Sequence, residues 1–184
     1  LHNFVNSWLG EPWEDTKLTT SADLVRDRQT ETEMFNLPPW TKMVTGGVDV
    51  QENCLYWTIR AWGDYLTSQN VAHGQALNLT EVQNIMNLEF KRPDGQPFLV
   101  DLTLIDSGDQ TDEIYDFCAQ NADWALPCKG SDTMLSHYRL STVNKAGSKA
   151  YGMTLVLVDG GKYKDTIASR MRKPNGKGSW MVYK

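Results

Sequence analysis

The order of the apolar segments constrains the fold of this chain more than any other feature. Residues 43–50 are rich in β-forming types, residues 54–63 alternate with period two, and residues 66–77 follow a Gly-Asp turn as a third strand, which predicts an antiparallel meander of three strands. Further helical and strand-like segments then alternate along the chain: residues 80–89, 97–106, 111–118, 124–128, 153–158 and 164–171. The apolar density of 97–106 predicts a strand covered on both faces. We therefore expect an α/β fold, a mixed sheet with an antiparallel entry, a parallel continuation and helices on both faces.

Composition is that of a soluble globular domain. The residues are 40% hydrophobic and 22% charged, so the chain can bury a core. Its length of 184 residues is too short for a multidomain motor. No apolar run approaches the ~18 residues of a membrane span, so a cytosolic location is the default expectation. The three cysteines form no C-x-x-C pair and the three histidines lack metal-ligand spacing, which argues against a disulfide framework and a structural zinc site.

Charge is distributed unevenly along the chain. Residues 1–128 carry 7 Lys+Arg and 20 Asp+Glu, a net charge of −13, whereas residues 129–184 carry 11 Lys+Arg and 3 Asp+Glu, a net charge of +8. A basic end on an acidic body is typical of a domain that binds a polyanion through one face. The alternative is a basic surface that has no partner.

The first forty residues differ in character from the rest. They are aromatic and acidic, with Trp8, Trp13 and Trp40, and they include two proline breaks. We interpret residues 1–41 as a connecting arm packed on a domain formed by residues 42–184. Because the chain starts at Leu1 in what resembles the middle of a sequence, we expect it to be a fragment of a longer polypeptide.

Two aspartates at strand ends are the strongest candidates for chemistry. Asp49 lies in an apolar strand, where a carboxylate is costly to bury without a compensating positive charge, and Asp106 ends the second apolar strand. Ligands of open α/β sheets collect at strand ends, so these carboxylates are candidates to hold a hard cation such as Mg²⁺. Two ions ~4 Å apart would activate water and stabilise the leaving oxygen of a phosphodiester. The alternative is that turn N–H groups satisfy both carboxylates.

Other catalytic patterns are absent or incomplete in the sequence. There is no G-x-x-x-x-G-K-[ST] motif, so we expect no ATP binding by a P-loop. Ser107 follows Asp106 in a D-S-G turn, but the G-x-S-x-G pattern is missing and no histidine is placed to serve it, which argues against serine hydrolysis.

Four motifs in the chain resemble the large terminase subunit of lambda-type tailed phages. They are F-V-N-S-W-L-G-E-P-W at 4–13, G-G-V-D-V-Q at 46–51, L-I-D-S-G at 104–108 followed by Tyr115, and C-K-G at 128–130. This family has an N-terminal packaging ATPase and a C-terminal endonuclease of RNase H-like fold that cuts concatemeric double-stranded viral DNA. The resemblance covers nearly the whole chain and implies that the chain corresponds to the endonuclease part.

The resemblance implies a ligand set for Mg²⁺ or Mn²⁺, in a site that holds two ions. Asp49 matches the acid on the family's first strand and Asp106 matches the acid on the fourth, so both would be catalytic metal ligands. The family's third acid lies in a motif like N-E-x-L-D near the C-terminus, and no such motif precedes Lys184. We therefore expect a C-terminal truncation, with three alternatives for the third ligand: its absence, a substitute at Asp159 or Asp165, or a cluster completed by Asp109.

The same resemblance implies a role for the basic end of the chain, residues 129–184. Six cations are candidates to follow DNA phosphates: Arg139, Lys145, Lys149, Lys164, Arg170 and Arg172. The implied partners are double-stranded viral DNA, the small terminase subunit, the portal and the ATPase domain of the same polypeptide, with no membrane. The implied location is the host cytoplasm and not the mature virion.

Two alternative functions remain open at the level of sequence. The incomplete triad motivates a non-catalytic RNase H-like module that binds DNA or the portal without cutting. A metal-dependent exonuclease or a resolvase of branched DNA would share the chemistry but require ends or branches.

Overall fold

The computed structural model describes residues 21–108, 111–131 and 134–184. Four α-helices lie in these ranges: α1 (Ala22–Arg26), α2 (Leu79–Met86), α3 (Thr111–Gln120) and α4 (Gly160–Met171). Ten strands accompany them: β1 (Met43–Val50), β2 (Leu55–Trp62), β3 (Ser68–Ala76), β4 (Phe90–Lys91), β5 (Pro97–Phe98), β6 (Leu102–Asp106), β7 (Ala125–Gly130), β8 (Tyr138–Thr142), β9 (Thr154–Val158) and β10 (Trp180–Met181). No described helix is long and apolar enough to cross a lipid bilayer.

Eight of the strands form one mixed sheet. Their order is β10-β3-β2-β1-β6-β7-β9-β8, and β4 pairs with β5 in a separate hairpin. The meander β1-β2-β3 is antiparallel, and β6, β7 and β9 continue from β1 in parallel. This arrangement confirms the predicted antiparallel entry and parallel continuation. The mixed eight-stranded sheet flanked by helices is the expected RNase H-like fold.

The main core lies on one face of this sheet. Side chains alternate across a strand, so Val44 and Val48 of β1 and Ile105 of β6 point to the same face, where all three are buried. Helices α2 and α3 cover that face with apolar residues, which are Val82, Met86, Ile114, Phe117 and Cys118. The alternating strand positions are thereby explained: one set is buried under two helices and the other set is on the opposite face.

Helix α4 lies on the opposite face. Its residue Ile167 lines a cavity together with Thr58 and Arg60, whose positions on β2 alternate with the buried core residues. Only Ala168 and Met171 of α4 are buried. The second face is therefore covered less completely than the first.

The structure corrects the predicted strand at 97–106. Residues 97–98 belong to β5, and β6 begins only at Leu102. The break at Asp101 has a physical cause: its N–H donates to the carbonyl of Val44 at 2.8 Å, and its carboxylate accepts from the N–H of Val44 at 2.9 Å. The carboxylate of Asp101 thus accepts the hydrogen bond from Val44 in place of a backbone carbonyl. Leu99 and Leu102 are exposed, so the expectation of a strand covered on both faces throughout 97–106 was wrong.

Two helix starts also differ from prediction. The segment predicted to begin at Thr80, with Thr80 as its cap, begins as α2 at Leu79, because Asn78 is the cap and its Oδ1 accepts the N–H of Glu81 at 2.9 Å. Helix α4 begins at Gly160 rather than Lys164, because Asp159 caps it. Two glycines in its first turn weaken the helical signal in the sequence.

Residues 29–37 follow the β3 and β10 side of the sheet. Gln29 forms a bridge with Val182, the N–H of Phe35 donates to Val71 at 2.9 Å, and Leu37 is buried in the core. Residues 1–20 of the predicted arm lie outside the described part of the chain. The arm boundary at residue 41 stays a prediction.

Candidate functional site

Asp49 and Asp106 lie side by side at the ends of neighbouring parallel strands. Val48 of β1 pairs with Ile105 of β6, which places the next residue of each strand at the same level. Adjacent strands are ~4.8 Å apart. Because Val48 and Ile105 point into the core, the two aspartate side chains project from the opposite face. The structure thus brings together the two residues that the sequence singled out.

Both carboxylates keep an oxygen without a hydrogen bond to any described residue. Oδ2 of Asp49 accepts from Nε2 of Gln51 at 2.8 Å, and Oδ1 of Asp106 accepts from the N–H of Gly108 at 3.0 Å. Within the described ranges, neither carboxylate forms an ion pair. Asp49 is exposed and Asp106 is half-buried, so the expected burial cost at Asp49 does not arise. Among described residues, a turn N–H group satisfies Asp106 in part, whereas Asp49 accepts only from the side-chain amide of Gln51.

The pKa of the Cys128 thiol is affected by the negative charge of both aspartates. Cys128 lies on β7 directly beside Asp106. Burial raises the pKa of its thiol to about 12, and the carboxylates of Asp106 and Asp49 add to that rise. Both acids therefore raise the pKa of the same thiol, as expected from their neighbouring positions in the sheet.

The turn after β6 is held from two sides. Ser107 is fully buried, and both its N–H and its Oγ donate to the carbonyl of Cys128 at 2.8 Å. Thr111, the first residue of α3, donates through Oγ1 to the carbonyl of Ser107 at 2.8 Å. These bonds fix the backbone beside Asp106, and the hydroxyl proton of Ser107 is used in one of them.

The candidates for a third ligand do not join the pair in the described residues. Asp159 caps α4, and its carboxylate accepts from the N–H and Nζ of Lys162 at 3.0 and 2.7 Å. These bonds lower its pKa. From the strand register, it lies two strands away from Asp106 and three residues further along β9, a separation of ~14 Å. Asp165 lies in α4, on a surface cavity with His137 and Lys173.

Asp109, the remaining candidate, lies outside the described residues. In the ranges that are described, no three His, Cys, Asp or Glu side chains are grouped so that they would hold a metal ion. The site as described therefore consists of two carboxylates with oxygen donors only.

The structure separates the six predicted DNA-contacting cations. Lys145 and Lys149 form ion pairs with Asp112 and Asp116 of α3. Arg170 donates to the carbonyl of Leu66 at 2.8 Å. The other three are exposed: Arg139 on β8, Lys164 on α4 and Arg172 after α4.

Sequence reasoning assigned no role to Cys128, Gln51 or Arg60. Cys128 and Gln51 occur in the family motifs without an assigned role. Strand pairing places Cys128 beside Asp106, and the turn after β1 places Gln51 beside Asp49. Arg60 lies on the same sheet face as Asp49, in an alternating strand where one more arginine gives no signal.

Comparison with known proteins identifies a family for the chain. A family model described as "Terminase large subunit gpA, endonuclease domain" matches residues 1–184. No curated protein and no solved structure is a significant match. Nuclease domains of this kind generally use divalent metals. The match over the full chain confirms the resemblance carried by the motifs around Asp49 and Asp106, and the chain belongs to the family of terminase large subunit gpA endonuclease domains.

Proposed function

We propose that this domain is the metal-dependent nuclease of a viral DNA-packaging terminase and that Asp49 and Asp106 are its metal ligands. The observation that carries the proposal is their side-by-side position at the ends of two parallel strands, with no ion pair in the described chain. Ligands of open α/β sheets bind outside the carboxyl ends of the strands. Family membership supports phosphodiester hydrolysis of double-stranded DNA.

The donor chemistry fits a hard divalent cation. Carboxylate oxygens suit Mg²⁺ and Mn²⁺, and Mg²⁺ is commonly held by one or two carboxylates together with substrate phosphates. Each carboxylate keeps one oxygen without a hydrogen bond to the described residues. Burial raises the pKa of the Cys128 thiol, and the carboxylates of Asp106 and Asp49 add to the rise, so both acids act on one point beside β7. A third ligand, at Asp109 or beyond the described residues, belongs to this proposal.

The residues around the two acids would have separate roles. A bound pair of ions supplies activation of water and stabilisation of the leaving oxygen. Asp49 and Asp106 would hold the cations, Gln51 would orient Asp49, and the N–H of Gly108 would orient Asp106. The turn at Ser107, fixed on Cys128, would keep Asp106 at the strand end.

The wider setting follows from the family. We propose that the domain acts in the host cytoplasm on concatemeric DNA and is absent from the mature virion. Its partners would be the small terminase subunit, the portal and the ATPase domain of the same polypeptide.

One observation favours a second candidate function. The described residues contain no group of three metal-ligating side chains. An RNase H-like module that binds DNA or the portal without cutting needs no such group.

Nicking of supercoiled plasmid separates these candidates. The wild-type domain is assayed with Mn²⁺, Mg²⁺ or EDTA beside Asp49→Asn and Asp106→Asn, which keep side-chain shape and remove charge. We expect metal-dependent nicking that falls at least about 100-fold in both variants, since ligands matter more than the 10–100-fold typical of outer-shell groups. Asp64→Asn is the matched control, because Asp64 is an exposed acid paired with Lys42 at the opposite end of β1.

Loss of nicking in Asp64→Asn as well would point to a general effect of charge. Full activity of Asp49→Asn would remove Asp49 from the mechanism. A folded wild-type domain that binds DNA but nicks it with neither metal would favour the binding module.

A further inference from the structure

A second site lies on the same sheet face as the acids. A cavity of about 720 Å³ is lined by residues of β2, β3, β10, α1 and α4, among them Thr58, Arg60, His73, Trp180 and Tyr183. Arg60 pairs with Thr45 of β1, and residues 45, 47 and 49 of that strand share one face. The floor of the cavity is therefore continuous with the face that carries Asp49.

Arg60 occupies this cavity with only part of its hydrogen-bonding capacity used. Its Nη1 donates to Oγ of Ser68 at 3.0 Å and to the carbonyl of Met181 at 3.3 Å. Its guanidinium carbon lies 4.2 Å from the centroid of the Trp180 ring. Its Nε and Nη2 make no hydrogen bond to described residues, and this edge of a guanidinium can bind phosphate or carboxylate in a bidentate manner.

The charge of Arg60 is not balanced within the described chain. Two other cations that line the cavity are paired: Arg26 with Asp23 at 3.0 Å and Lys184 with Glu33 at 3.5 Å. No described carboxylate lies within ion-pair distance of Arg60. Burial lowers its pKa to about 9, which is the expected effect of desolvating a cation without a counter-ion. A desolvated cation is costly unless it is paired, so the site is suited to an anion.

The position of Arg60 matches a nucleic-acid strand that passes over the acids. Arg60 is level with Thr45, four residues before Asp49 on the adjacent strand, which gives a Cα separation of ~14 Å. A DNA strand carries one phosphate per ~3.4 Å of helix axis, so this separation corresponds to about four phosphates. The ring of Trp180 holds the guanidinium plane in place beside such a strand.

We propose that Arg60 binds a backbone phosphate of the DNA strand that Asp49 and Asp106 act on, about four phosphates away from the acids. The inference rests on the proposed function, since it takes DNA as the ligand. It assigns Arg60 a positioning role: it touches the substrate strand away from the reacting atoms and fixes the register of the strand over the acids.

Fluorescence anisotropy of a labelled DNA duplex in EDTA tests the proposal without cleavage. The wild-type domain is compared with Arg60→Gln and Arg60→Lys over a range of salt concentrations. We expect Arg60→Gln to weaken binding about tenfold for every sequence and to reduce the slope of log Kd against log[salt] by ~0.9. Arg60→Lys should keep the slope and recover only part of the affinity, because an ammonium is a point charge without the bidentate edge.

Lys91→Gln is the matched control, since Lys91 of β4 is an exposed lysine that pairs with Glu89. It should leave both affinity and slope unchanged. The melting temperature of each variant is measured in parallel. Arg60→Lys keeps the contact with Trp180, so it remains informative if Arg60→Gln does not fold.

Equal affinities and slopes for the wild type and both Arg60 variants would overturn the proposal. So would a lowered melting temperature of Arg60→Gln with unchanged DNA binding, which would mean that Arg60 only ties β10 to β3. Plasmid nicking distinguishes this failure from that of the nuclease. If the wild type nicks DNA and the Arg60 variants bind DNA normally, the nuclease proposal stands and the phosphate site at Arg60 is wrong. If DNA binding depends on Arg60 but the wild type does not nick DNA, the phosphate site stands and the nuclease proposal is wrong.

Discussion

Two adjacent glycines of β1 face opposite sides of the sheet and have different neighbours. A Cβ on Gly46 would lie 2.4 Å from Oγ1 of Thr103 and 2.6 Å from Sδ of Met86. A Cβ on Gly47 would meet only Cγ2 of Thr58, at 3.5 Å. Gly46 therefore allows α2 to pack directly on β1 beneath the acids, whereas Gly47 has ordinary surroundings on the face of Asp49.

We expect Gly46→Ala to destabilise the domain by about 1–3 kcal/mol, the usual cost of an overpacked core. Gly47→Ala is the control, and it should be neutral or stabilising by up to about 1 kcal/mol because alanine restricts the unfolded chain. Urea denaturation of both variants measures the difference. Equal midpoints would show that Met86 moves aside without cost.

Single side chains at the ends of elements decide where the helices begin. Asp159 caps α4 with its Oδ1 and pairs with Nζ of Lys162 through Oδ2. Asn78 and Glu81 perform the same task at α2, where Glu81 also accepts the N–H of Leu77 at 2.8 Å. Residues 129–184 carry only 3 acids, and one of them, Asp159, starts a helix.

The lowered pKa of Asp159 predicts a pH dependence of stability. Its carboxylate binds protons more weakly in the folded state than in the unfolded state, owing first to the side-chain bond from Lys162 and then to the helix N–H. Its stabilising contribution is therefore complete above its ordinary pKa and is lost as the pH falls through the lowered value. Asp159→Asn keeps a capping side chain but no charge.

We expect the melting temperature of the wild type to fall more steeply than that of Asp159→Asn between about pH 5 and pH 2. Thermal denaturation followed by circular dichroism measures both curves. Parallel curves would mean that the Lys162 contact adds nothing to the stability of α4.

The tertiary structure folds the basic end of the chain back onto the acidic body. Lys145 and Lys149 reach Asp112 and Asp116 of α3, and Val143 and Ala150 of the same segment pack against Tyr115. Part of the excess positive charge is thereby used within the domain. The net charge of a segment consequently overstates what it offers to DNA.

This pairing predicts an order among the basic residues. Lys164→Gln and Arg139→Gln should each reduce the slope of log Kd for DNA against log[salt] by ~0.9, because these side chains are exposed and make no ion pair with described residues. Lys145→Gln and Lys149→Gln should change it less, since each already has a carboxylate partner. Anisotropy titrations of the four variants measure the slopes. Equal slopes for all four would show that DNA displaces the ion pairs.

Sequence alone determined the antiparallel meander, the parallel continuation and the choice of two candidate acids, because these depend on local patterns. Residues of β-forming types predict β1, and alternation with a period of two predicts β2. When two neighbouring strands are parallel, acids at the ends of their apolar runs reach the same edge of the sheet, and this places Asp49 beside Asp106. Where a cap or a side-chain acceptor competed with periodicity, at Asn78, Asp101 and Asp159, the boundaries moved.

Only the tertiary structure decided what surrounds those acids. Three features depend on register and packing between segments far apart in the chain: the place of Cys128 beside Asp106, the ~14 Å between Asp159 and Asp106, and the charge of Arg60 over Trp180, which no described carboxylate balances. Periodicity sets which face a residue occupies, but it carries no information about which distant residue occupies the neighbouring position. That information arises only when the strands pair and the helices pack on them.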